Sequence, residues 1–76
     1  MNLKQAKDYF KVGAISGFAL HRETLGEGWV LWVDGKAPDH LETATGHVRV
    51  FAGVDTALKT VSSITGRPVA NLKLST

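Results

Sequence analysis

Apolar residues recur along this chain with two distinct periods, and the period changes mark its elements. Leu3, Ala6 and Phe10 fall on one stripe at helical spacing, which predicts a helix over residues 3–12. Asn2 is placed to cap it, Gln5 completes a capping-box pair three residues on, and Gly13 stops it. From residue 14 to 22 the pattern shortens to the alternation of a strand, with Phe18 and Leu20 on one face and Ile15, Ala19 and His21 on the other. Leu25-Gly26-Glu27-Gly28 supplies a turn. A second strand, residues 28–33, is dense in β-formers, and Asp34-Gly35 followed by Pro38 ends it. Residues 40–45 and 47–52 form a third and a fourth strand about a turn at Gly46. In the fourth, Val48, Val50 and Ala52 are assigned to the core, which turns His47, Arg49 and Phe51 outward. Val54, Ala57, Leu58, Val61 and Ile64 make one face of a second helix over residues 54–65. Asp55 favours its first turn, Gly66 its exit, and Pro68 forbids its continuation. The tail, residues 69–74, alternates like an edge strand.

The order is α-β-β-β-β-α-β, an α+β domain with one antiparallel sheet of three to five strands. Each helix has one apolar stripe, so both cover the same sheet face. The other face is open. Trp29 and Trp32 differ in parity, so one of them lies on it.

Length limits what such a domain can do. The chain has 76 residues and reads as one domain, 1–76. A chain this short hides only about 60% of its unfolded surface. It has no cysteine, so neither a disulfide nor a thiolate metal site supports it. Packing alone, or self-association, must supply the burial. No early apolar run resembles a signal peptide, because Lys4, Lys7 and Lys11 interrupt it. The expectation is a cytoplasmic protein with no membrane contact.

Catalytic spacings are not found. His21, His40 and His47 do not form a metal-binding pair at helical spacing. No serine sits in a nucleophile elbow, and the turn glycines match neither a phosphate loop nor a dinucleotide fingerprint. The sequence therefore points to no enzyme, cofactor, metal or small-molecule substrate.

Charge gives a direction. The formal net charge is only +2, but its distribution is uneven. Residues 1–19 carry Lys4, Lys7 and Lys11 against Asp8, and residues 46–76 carry Arg49, Lys59, Arg67 and Lys73 against Asp55. Five acids lie between, at Glu23, Glu27, Asp34, Asp39 and Glu42, against Arg22 and Lys36. Lys4, Lys7 and Lys11 share a helix stripe within about 60° of one another. An open sheet face with aromatic and basic side chains suits base stacking, with cations on the phosphates. The candidate contacts are Lys4, Lys7, Lys11, Trp32, His47, Arg49, Phe51, Arg67 and Lys73. They describe a small nucleic-acid-binding accessory protein, for single-stranded or nonspecific DNA. The alternative is a protein-interaction or homodimeric assembly module, whose open face a partner buries. A homodimer is the expected assembly in either case.

Three resemblances bear on this. Leu41-Glu42-Thr43-Ala44, Gly46, Arg49-Val50-Phe51, Asp55 and Ala57 are similar to a pattern in small uncharacterised proteins of bacterial plasmids and integrative elements. Leu3, Ala6, Tyr9-Phe10 and Gly17-Phe18 extend that similarity. It implies a mobile-element, DNA-transacting context and carries over no functional residue. The element order also resembles the double-stranded RNA-binding domain. That family opens its second helix with a lysine cluster, whereas Gly53-Val54-Asp55-Thr56 stands here. A curved sheet followed by a helix resembles the single-strand DNA-binding coactivator family, in which the sheet face of a dimer takes the bases.

Overall fold

A computed structural model of the chain describes residues 1–23, 26–69 and 72–75. Its elements are α1 (Leu3–Lys11), β1 (Ile15–Arg22), β2 (Trp29–Gly35), β3 (Asp39–His40), β4 (Val50–Phe51), α2 (Val54–Thr65) and β5 (Lys73–Ser75). The α+β class and the element order are those the periodicity predicts. Leu25 of the expected turn, and Ala70 and Asn71 of the expected tail strand, lie outside the described residues.

Both helices are bounded by local chemistry. The Asn2 side chain accepts from the Gln5 amide, and the Gln5 side chain accepts from the Asn2 amide, at 2.8 and 2.9 Å. Two otherwise orphaned donors are thus satisfied reciprocally. Gly13, at φ 75°, turns the chain out of α1. At the end of α2, Gly66 is left-handed and its amide donates to the Ser62 carbonyl. The Ser62 hydroxyl donates to the Leu58 carbonyl and accepts the Val69 amide at 3.0 Å, which ties the outgoing chain to the helix.

The sheet order is β3-β2-β1-β5, and β4 pairs with the other half of the β2 edge that β3 uses. β1 to β4 form the expected antiparallel sheet. β5, the short strand after α2, whose direction the pattern leaves open, runs parallel to β1. The reason is directional. β4 and β1 both oppose β2, so they point the same way. α2 then carries the chain back across the layer, and a strand following such a crossover repeats the direction of the strand before it.

Strands 40–45 and 47–52 of the sequence reading shrink to two residues each. Both compete for one edge of β2, so only their ends pair with it. His40 opposes Trp32, and Val50 opposes Val30. Between them the chain leaves the edge as a small hairpin. Glu42 bridges Val48 within it, and Asn2 outside it. Thr43, Thr45 and the His47 amide bond to one another at its tip, where Gly46 takes φ 87°.

This excursion reverses the assigned faces. Phe51 is 2% exposed and belongs to the core, whereas Val48 and Val50 are half exposed. A register irregularity between Ile15 and Gly17 has the same kind of effect on β1. It turns Ile15 towards the core, away from the face of Ala19 and His21.

The core is a single layer between the sheet and both helices. Leu20, Leu31, Val33, Leu41 and Phe51 meet Ala6, Ala57, Val61 and Ile64, with Leu3, Phe10, Phe18 and Trp29 packed against them. Each fully buried side chain of this size contributes about 1.5–3 kcal/mol. The Met1 amino group closes one end of the layer. It lies 2.6 Å from Asp39 Oδ2 and 2.9 Å from Glu42 Oε1, and donates to the His40 carbonyl. The same cluster therefore joins α1, β3 and the hairpin. Among the described residues, no helix is long and apolar enough to cross a membrane.

Candidate functional site

Two surfaces stand out, one on each layer. On the helix side, α1 turns Leu3, Ala6 and Phe10 inward. Lys4, Lys7 and Lys11 are thereby left exposed along the outer surface of the helix. Lys4 shares a groove with Arg49, Thr43 and Glu42, beside the N-terminus of α1. Lys7 and Lys11 line a groove with Phe10 and the last turn of α2, next to exposed Arg67. Among the described residues the only ion pairs are those of the Met1 amino group, so none of these cations is neutralised by a close carboxylate.

Two of the three guanidinium groups have defined seats. The Arg49 guanidinium lies 4.9 Å from the centre of the Phe51 ring. The Arg22 guanidinium lies 5.1 Å from the Trp29 ring. Arg22, Trp29 and Phe51 stand opposite one another across β1, β2 and β4. Arginine over an aromatic face gains electrostatic attraction while its outward edge stays free to donate. Both arginines therefore sit on the helix side of the sheet, where the lysines are.

The open sheet face is different. Trp32 stands at its centre on β2, opposite His40 on one side and Ala19 on the other. Its ring meets His40 edge-on at 4.8 Å and His21 edge-on at 6.3 Å. Its Nε1–H donates to Asp34 Oδ1 at 2.7 Å, which fixes the orientation of the indole. A shallow depression of about 640 Å³ lies beside it, lined by Gly17, Phe18, Ala19, His21, Trp32, Asp34 and His40. Asp34 is the one charged group in this lining.

The nine candidate residues thus separate. Lys4, Lys7, Lys11, Arg49 and Arg67 gather on the helix side, and His47 is exposed in the hairpin near Arg49. Trp32 alone of the aromatic candidates is on the open face. Phe51 is a correction: it is a core residue, and no base can stack on it. Arg49 shares its parity and leaves the open face with it. Lys73 stands in register beside Ala19 on the outermost strand.

Arg22 was not among the candidates, nor were His21 and His40. Arg22 is found by its register with Trp29, and the two histidines by theirs around Trp32. Those are pairings between strands, and no spacing along the chain reveals them. Asp39 and His40 do point to opposite faces, one to the Met1 amino group and the other to Trp32. The described residues contain no cluster of three or more His, Cys, Asp or Glu that could hold a metal ion. Compared with protein-family models, curated proteins and solved structures, the chain matches none.

Proposed function

We propose that this protein is a small nucleic-acid-binding accessory protein that grips phosphates without reading sequence, through the helix layer. The observation that carries this reading is the band formed by Lys4, Lys7 and Lys11 along α1, extended by Arg49 at one end and Arg67 at the other. These cations are solvated and unpaired among the described residues, the condition under which phosphate contact releases counterions. Among the described residues no base-reading constellation accompanies them, which suits single-stranded or nonspecific DNA. A homodimer is compatible with this surface, because a partner on the opposite layer leaves the band uncovered.

The test is fluorescence anisotropy with labelled single-stranded and duplex oligonucleotides over a range of salt. Log affinity should fall linearly with log salt, at about −0.9 per phosphate for duplex and about −0.7 for single strands. A Lys4→Gln, Lys7→Gln, Lys11→Gln triple variant should weaken binding and make the duplex slope shallower by about three phosphates' worth. Glutamine keeps the helix propensity, so α1 is retained. Binding with an unchanged slope in the triple variant, or no binding by the parent at low salt, rejects the proposal.

A further inference from the structure

The two arginine seats add a second kind of contact to the lysine band. Building on the phosphate-band reading above, we infer that the nucleic acid held there is single-stranded, and that its unpaired bases stack on the guanidinium planes of Arg22 and Arg49.

Three observations carry this. The first is the row in which the seats lie. Register sets Arg22 opposite Trp29 and Trp29 opposite Phe51, and Arg49 lies over the Phe51 ring. Two guanidinium groups thus accompany two aromatic rings across three strands, at 5.1 and 4.9 Å from the ring centres. Paired strand positions hold the rings, so each guanidinium is placed before a ligand arrives.

The second is which group meets solvent. Phe51 is buried and Trp29 half-buried, so the rings spend their faces on the core and on the arginines. Arg22 is exposed and Arg49 half-exposed. Each seat therefore presents a guanidinium, a planar and weakly hydrated cation on which a base stacks as it does on an aromatic ring. In a duplex the neighbouring pairs cover the base faces, whereas a single strand leaves them free. Lysine has no such plane, so the α1 lysines answer to phosphate alone. Stacking is tolerant of base identity, in keeping with a surface that reads no sequence.

The third is continuity. Arg49 and Lys4 line one groove, so a strand lying along α1 passes from the lysines onto the row. Glu42, the carboxylate of that groove, is held by the Met1 amino group. Glu23 and Glu27, which follow Arg22 in sequence, line a recess with Val50, on the side of the sheet that Phe51 does not face.

Fluorescence anisotropy of the full chain tests this with two labelled ligands, oligo(dT) and an abasic sugar-phosphate strand of the same length. The parent should bind oligo(dT) about tenfold or more tighter. Arg22→Lys keeps the charge and removes the plane, so it should lose most of that preference with little change in the salt slope. Arg49→Lys should act in the same direction. The ratio of the two affinities is the readout, because misfolding lowers both together, and either variant decides the matter should the other unfold. Equal affinity of the parent for the two strands overturns the inference and leaves the phosphate band standing. A preference that both variants retain does the same. No binding of either strand at low salt overturns this inference and the phosphate-band reading together.

Discussion

Phe51→Ala is the substitution on which the core and surface assignments of this domain diverge most. Phe51 is 2% exposed, stands in register with Trp29, and packs with Leu31, Leu41 and Ala57 in the single core layer. Truncation removes the ring from water-free surroundings and leaves a void that the short β4 can only partly close. Such changes cost about 3–5 kcal/mol. The guanidinium of Arg49 also loses its aromatic seat. A 76-residue domain has a total stability of about 4–11 kcal/mol, so the variant loses between about a quarter and all of it. Urea unfolding followed by circular dichroism measures this. At about 1 kcal/mol per molar, a slope fitting so small a chain, the midpoint falls by about 3–5 M, or the variant is unfolded without denaturant. Val50→Ala is the control. Its neighbouring side chain is half exposed, and its loss should cost less than about 1 kcal/mol. A Phe51→Ala variant within about 1 kcal/mol of the parent that has lost oligonucleotide binding would refute the core assignment. It would return the ring to the surface.

Asn2→Ala removes one half of the capping box and should cost about 0.5–2 kcal/mol in the same unfolding assay, with Asn2→Asp close to neutral. Gly35→Ala places a methyl group onto the Ala14 carbonyl oxygen, a backbone atom that cannot step aside; a loss of about 1–3 kcal/mol is expected, and a neutral result would contradict that close approach. The Met1 cluster predicts a pH window. Burial acts to lower the Met1 amine, but its bonds to Asp39 and Glu42 outweigh this and hold it above its ordinary 8.0. The bond from that amine holds the Asp39 carboxyl below its ordinary 3.8. Asp39 therefore stabilises the fold above pH 3.8 and loses this as pH falls through its lowered value. The amine stabilises it fully below pH 8.0 and loses this as pH rises through its raised value. Asp39→Asn should lower the melting temperature at neutral pH and flatten both flanks of its pH profile; a profile parallel to the parent's would count against the cluster.

The sequence alone determined what depends on neighbours along the chain. The capping pair Asn2 and Gln5, the stop at Gly13, the apolar face of α2 and its end at Gly66 are set within one or two helical turns, and the structure has them where the pattern predicts. β1 and β2 are legible for the same reason, being long enough to alternate several times. Three lysines on one stripe of α1 also follow from 3.6-residue periodicity. Tertiary structure decided the rest, because a strand's face has a period of two and one residue of offset inverts it. The irregularity after Ile15 and the hairpin inserted between β3 and β4 each impose such an offset. Neither leaves a mark on composition. Phe51 therefore moved from surface to core, and Arg49 moved with it to the side where α1 lies. The direction of β5 was settled by the path of α2 across the layer, a property of the whole chain. What read as one aromatic and basic face became two surfaces, because which strands pair decides which side chains meet.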